Sequence, residues 1–129
     1  MNDIPNAIQL LAIARATLLD KLFTQLPEEL RYEALMIANA MAIAIREQAN
    51  GETAARGELA RLRALFVDPE QPLASAAPEA ALSDYRRRLA TDIRNGRFDG
   101  AAREALLAHL AQTAAEAVAI SNPKALDRP

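Results

Sequence analysis

The chain has 129 residues and a mass of 14.0 kDa, which is the size of one domain. Hydrophobic residues make up 51% and charged residues 25%, the proportions of a folded globular chain. A net charge of −2 argues against a bulk electrostatic nucleic-acid binder, and the lack of cysteine excludes disulfides, thiolate metal sites and a cysteine nucleophile. With 30 alanines, the composition favours helices over strands.

Two helices are predicted in the first half of the chain. The first runs from about Asn6 to Phe23, because its large apolar residues share one face. Pro27 begins the second, which continues to about Ala49, where Asn50-Gly51 is a typical helix end. This second helix (about 27–49) is apolar on nearly all sides, and a helix of that kind is surrounded by partners. We therefore expect it to be the central element of a bundle.

Three further helices are predicted in the second half. The third spans about Thr53 to Phe66, and the fourth begins at Pro78 and ends at Asn95-Gly96. Asp99 is expected to cap the fifth, which runs to about Ile120. Residues 67–77 are predicted to be an irregular loop and 124–129 a flexible tail. The predicted fold is thus all-α, a single domain (1–129) forming a bundle of about five helices.

The chain is expected to be cytoplasmic and not to bind membranes. Its first residues, Met1 to Pro5, lack the basic region and the long apolar run of a secretory signal. No stretch of 18 uncharged apolar residues occurs, because Arg15, Asp20, Arg31 and Arg46 interrupt the most hydrophobic half.

Polar residues inside the apolar pattern are the candidates for a site. Taking Arg31 as the reference, Asn39 lies at about 80° and Arg46 at about 60° around the second helix. Arg15 lies similarly among the apolar residues of the first helix. These four residues could hold a small anion by bidentate hydrogen bonds. In the alternative interpretation, Asn39 bonds a neighbouring helix and fixes its register, and the arginines pair with carboxylates.

Other polar features give no enzyme signature. His109 has no second histidine or cysteine to complete a zinc set, and a satisfied or half-exposed histidine is expected. Arg86, Arg87 and Arg88 point in different directions on a helix, so a solvated face is expected. The turn around Gly96 lacks a phosphate-loop pattern. We predict no catalytic residue, no metal site and no cofactor.

A set of short motifs, in this order and spacing, resembles a bacterial family of small helical proteins of unknown function. The resemblance covers roughly Ala7 to Leu126, although Lys124-Ala125-Leu126 stands where the family commonly has an aromatic residue. The motifs are Arg31-Tyr32, Met36, Ala38-Asn39-Ala40, Ile43, Arg46-Glu47, Ile93-Arg94, Gly96, Asp99, His109-Leu110 and Ser121-Asn122-Pro123.

Members of that family are typically encoded beside aminoglycoside-phosphotransferase-like kinases and acyl-CoA dehydrogenases. The resemblance therefore implies an accessory role near acyl-CoA or small-metabolite breakdown, with a kinase-like protein or an acyl-CoA dehydrogenase as partner. It implies no catalytic residue.

Two functions remain open from the sequence. The first is a non-enzymatic helical accessory or interaction protein that self-associates, because the apolar stripes exceed what one small bundle can bury. The second is a module that binds a small anion, such as a phosphate or an acyl-CoA-like group, through Arg31, Asn39 and Arg46.

Overall fold

A computed structural model describes residues 4–66 and 78–127, and in these ranges it contains four α-helices and no strand. The all-α fold class is therefore confirmed. The helices are α1 (Ala7–Thr17), α2 (Glu28–Leu65), α3 (Glu79–Arg94) and α4 (Arg103–Ser121). A π-helical turn (Leu18–Leu22) and a 3-10 turn (Phe23–Gln25) follow α1, and a second 3-10 segment (Pro123–Asp127) follows α4.

The start of α1 is fixed by a reciprocal cap. The backbone N–H of Gln9 donates to the Asn6 side chain at 2.9 Å, and the backbone N–H of Asn6 donates to the Gln9 side chain at 2.9 Å. This capping box satisfies two of the backbone donors that a helix start leaves unpaired. The α-helical part ends at Thr17, before the predicted Phe23, because the chain continues in the wider π-helical turn.

The main difference from the prediction is that the second and third predicted helices form one continuous helix, α2. Asn50-Gly51 was expected to stop it, but Gly51 keeps a helical backbone, and Gly96 is the described glycine with a positive φ, 79°. An interior glycine is tolerated at about 1 kcal/mol. An ion pair between Arg56 and Glu52 (2.7 Å) then supports the following turn. The described ranges consequently contain four α-helices rather than the predicted five or so.

Gly96 does end a helix as predicted. Its positive φ lets the chain turn after α3, so that the N–H of Arg97 donates to the Asp92 carbonyl at 3.0 Å. The last predicted helix begins at Arg103, four residues after Asp99, so Asp99 does not cap it.

The described residues fall into two compact units, which we describe separately. Unit 1 contains the described residues up to Gly51 together with Ile120–Asn122, and unit 2 contains Glu52–Ala119 and the described residues that follow Asn122. The predicted single domain stays a prediction. The predicted loop 67–77 lies outside the described residues. Part of the predicted tail forms the 3-10 segment Pro123–Asp127.

Unit 2 has an apolar core of large side chains. Leu62 is completely buried, and Phe66 packs against the rings of Tyr85 and Phe98, with centroids 5.9 and 6.3 Å away. The buried members of the core are Leu59, Leu62, Leu82, Leu89, Phe98 and Leu106.

Unit 1 has no comparable core. Its buried residues, among those described, are Ala34 and Ala38. Although residues 34–45 are apolar on nearly all sides, large side chains such as Met36 and Ile37 remain half exposed. Unit 1 therefore buries small residues and leaves large apolar ones in contact with solvent.

Candidate functional site

The predicted site residues Arg15, Arg31, Asn39 and Arg46 all lie in unit 1. The half-buried Arg15 donates from Nε to the carbonyl oxygen of Ala38 at 3.1 Å, which turns the Ala38 side of α2 toward α1. Arg31 donates from Nε to the Leu26 carbonyl at 3.3 Å and lies 5.7 Å from the centroid of the Phe23 ring. Both arginines thus bind the backbone of their own unit.

Arg46 binds the end of another helix. Its Nε donates to the carbonyl oxygen of Ile120 at 2.6 Å, where α4 has unpaired carbonyl groups that favour a cation. The two Nη groups of Arg46 make no hydrogen bond with another residue that the structure describes. Among the described residues, all three arginines therefore donate to backbone carbonyls and not to the carboxylates expected in the alternative interpretation.

Asn39 is exposed, and its side chain makes no hydrogen bond within the described chain. The expected bond to a neighbouring helix is therefore not made within this copy. Arg31 and Arg46 are 15 residues apart on one helix, which places them about 22 Å apart along its axis. One phosphate cannot touch both side chains, so the four residues do not converge on a single small anion. Anion binding by Asn39 and Arg46 alone stays a prediction.

A regular row of side chains runs along α2 on the side away from Ala34 and Ala38. It is uninterrupted because its members are spaced three and four residues apart, the repeat of a helix-pairing seam. We call it the α2 stripe, and it consists of Glu29, Tyr32, Met36, Asn39, Ile43 and Arg46.

The middle of the α2 stripe is apolar and exposed. Tyr32 is 72% exposed and Met36 53%, and Ile43 is partly buried. No charged residue occurs from Ala34 to Ile45, whereas Glu29 and Arg46 stand at the two ends of the stripe. The exposed face of α1 is also apolar, since Leu10 and Ile13 are more than half exposed. Neighbouring apolar side chains that remain exposed on one helix are typical of a binding surface.

Unit 2 contains a separate group of charged residues that are paired internally. Arg86 donates from Nε to Oε2 of the buried Glu58 at 2.7 Å and from Nη2 to its other oxygen. This paired geometry holds the pKa of Glu58 below its usual range, mainly through the hydrogen bonds and against the effect of burial. Glu58 is thus a buried carboxylate kept charged by an exposed arginine.

His109 lies in the same unit. Its side chain is buried, with 6% exposed, so the prediction of a half-exposed histidine is wrong. Its Nδ1 has no hydrogen-bond partner among the described residues. Burial, followed by the nearby positive charge of Arg61, lowers the pKa of His109, and the imidazole is therefore neutral near pH 7. Arg61 itself lies 2.7 Å from Oε1 of Glu116 and donates to Oγ1 of Thr113 at 3.1 Å.

The sequence interpretation missed the contacts of the Arg86–Arg88 cluster. Besides binding Glu58, this cluster places the Arg88 guanidinium 4.0 Å from the centre of the Phe66 ring. A signal for the buried carboxylate was present, since Glu58 stands three residues after Ala55 and four before Leu62, at the spacing of the core face. In residues 4–66 and 78–127, no group of three or more acidic or histidine side chains could hold a metal ion.

The model of a family described as a domain of unknown function (DUF6285) matches residues 24–125. This match covers most of the chain, and the chain belongs to that family. No curated protein and no solved structure matches the chain. Among the described helices, none has the length and apolar character needed to cross a membrane.

Proposed function

We propose that this member of the DUF6285 family is a non-enzymatic helical interaction protein of the cytoplasm, and that unit 1 docks its partner through the α2 stripe. The observation that carries the proposal is the contrast within unit 1, where the buried residues are alanines and several large apolar side chains, Met36 among them, are half exposed or more. A helix that is apolar on nearly all sides normally has neighbours on all sides.

Energetics support a covered state of this surface. Burying a large aliphatic or methionine side chain completely contributes about 1.5–3 kcal/mol. Covering the half-exposed Met36 of the α2 stripe therefore adds about 1 kcal/mol to the stability of the complex. The stretch from Ala34 to Ile45 carries no charge, so a partner loses no ion hydration by covering it.

The chemistry of the surface also limits the partner. A seam of residues spaced three and four apart accepts another helix more readily than a flexible peptide or a small solute. The charged groups of unit 2 that lie closest together are already engaged in ion pairs, which favours a scaffold role for them. By resemblance to the family, an accessory role near acyl-CoA or small-metabolite catabolism places kinase-like proteins and acyl-CoA dehydrogenases among the partners to be tested.

Methionine oxidation in intact cells tests the proposal. Met36 is 53% exposed, whereas Met41 is partly buried by its own chain, so Met41 is an internal control on the same helix. If a partner covers the α2 stripe, peroxide oxidises Met36 more slowly than Met41 in cells, and urea-unfolded chain loses this order. Faster oxidation of Met36 than of Met41 in cells contradicts the proposal.

A further inference from the structure

We propose that the partner covering the α2 stripe is a second copy of this chain, packed antiparallel across a two-fold axis that passes between Ile37 and Ala38. This inference rests on the proposed function, since it names the occupant of the same surface. It is carried by a symmetry in the order of side chains along the stripe.

The α2 stripe is complementary to itself when it is reversed. An antiparallel pair centred between residues 37 and 38 places position n opposite position 75 − n, because opposite residues are equally far from the axis. Two of the three kinds of pair formed in this way match, one apolar and one of opposite charge, and the third places Met36 beside the polar Asn39. Tyr32 lies opposite Ile43 of the second copy, Met36 lies opposite Asn39, and Glu29 lies opposite Arg46.

A charged pair, Glu29 of one copy with Arg46 of the other, lies at each end of the seam. Glu29 is exposed and has no ion-pair partner among the described residues, and the Nη groups of Arg46 are also without one. The bond from Nε of Arg46 to Ile120 fixes the side chain while its Nη groups remain available to a carboxylate. Because the axis is two-fold, the Glu29–Arg46 pair forms twice.

A parallel pair lacks this complementarity. It would place Glu28, Glu29 and Glu33 of both copies at the same end, where like charges repel. Partners of other composition would need an equally uncharged apolar stripe with opposite charges at its ends, and a second copy has these features by construction. The apolar middle of the stripe supplies attraction, and the charged ends supply direction and register.

Asn39 acquires a role in this arrangement. Its two copies are three residues apart along the paired helices, or about 4.5 Å, on either side of the axis. The two exposed amides can therefore hydrogen-bond to each other within the seam. A single polar residue in an apolar seam fixes the register of helix pairing, which is the register role that the sequence suggested for Asn39, now between two copies.

Light scattering and single-cysteine cross-linking test the inference on the full chain, which has no natural cysteine to interfere. We expect the molar mass to rise with concentration toward twice 14.0 kDa. Asn39→Cys then forms a disulfide dimer on mild oxidation, since the two Cα atoms are within about 7 Å. Tyr32→Cys is the matched control on the same stripe, and its copies are offset by 11 residues, or about 16 Å, in the antiparallel pair.

Each other outcome overturns the inference. Efficient cross-linking of both variants indicates a parallel pair, and cross-linking of neither in a dimeric protein places the interface elsewhere. A chain that stays monomeric up to about 100 µM while Met36 is protected in cells leaves the proposed function in place with a different partner. A monomeric chain with Met36 unprotected in cells removes both proposals.

Discussion

The two units are both helical, but they differ in which apolar side chains they bury. Unit 2 buries leucines and a phenylalanine in its core and pairs its buried Glu58 with Arg86. Unit 1 buries Ala34 and Ala38 and exposes half or more of Met36 and Ile37. An apolar surface of helical residues stabilises a fold only where another element covers it. Unit 2 thus buries its large apolar side chains within one chain, and this difference is the basis of our proposal that a partner completes unit 1.

The largest expected effect on stability comes from a substitution in the core of unit 2, and it tests this comparison. Leu62→Ala lowers the free energy of unfolding by about 2–5 kcal/mol, because Leu62 is completely buried and the vacated space cannot fill. The matched substitution in unit 1 is Leu35→Ala, where the side chain is half exposed, and we expect a loss of less than about 1 kcal/mol in dilute monomer. Urea titration measures both, and equal losses would contradict the comparison.

The buried ion pair of unit 2 predicts a pH dependence of stability. The pKa of Glu58 is lower in the folded chain than its ordinary value of 4.5, so folding favours the charged carboxylate. Its contribution is complete above pH 4.5 and is lost as the pH falls through the lowered pKa. Glu58→Gln should show a shallower loss of unfolding free energy between pH 5 and pH 3 than the unaltered chain.

Urea titrations at fixed pH values across this window compare the two chains. Asp84→Asn, at an exposed position on α3, is the control for general acid effects. A Glu58→Gln profile parallel to that of the unaltered chain would show that the Arg86 pair does not stabilise the folded state.

A charge reversal at Glu29 tests the proposed pairing of unit 1 and leaves its buried residues unchanged. In Glu29→Arg, both ends of the antiparallel seam carry two facing arginines, and we expect the dimer to weaken by about tenfold or more. The double variant Glu29→Arg with Arg46→Glu restores opposite charges and should recover part of the affinity. Sedimentation equilibrium measures the dimer dissociation constants of the unaltered chain and the two variants. An unchanged dissociation constant in Glu29→Arg would contradict the proposed register.

The smallest expected effect concerns anion binding. Inorganic phosphate should leave the melting temperature unchanged, since Arg31 and Arg46 are about 22 Å apart along α2 and cannot hold one ion together. A saturable rise in melting temperature that Asn39→Ala abolishes would support the anion module instead. Lys21→Ala, an exposed cation on the π-helical turn, controls for general salt effects.

Composition and periodicity were sufficient to predict the fold class, since the alanine content and the apolar spacing both favour helices. The continuity of α2 was not predictable from the local sequence. Asn50-Gly51 has the composition of a helix end, but a glycine that ends a helix commonly does so at a positive φ, which Gly96 adopts and Gly51 does not.

The hydrogen bonds of the candidate residues were not predictable from the sequence. Spacing predicts Arg31, Asn39 and Arg46 on one side of a helix, and all three lie on α2, but their role as a binding site stays a prediction. Spacing could not show that Nε of Arg46 binds the Ile120 carbonyl, because that contact joins residues 74 positions apart. The burial of His109 was missed for the same reason, since the side chains around it come from separate helices.

Hydrogen exchange at two protein concentrations tests the central claim most directly, because one experiment compares both units on the same helix. We predict that the amides of residues 34–45 become better protected as the concentration rises from about 1 to 100 µM, since association adds stability by mass action. The amides of residues 55–65, in unit 2, should keep the same protection. Equal protection of residues 34–45 at both concentrations, at the level of residues 55–65, would show that unit 1 is complete within one chain.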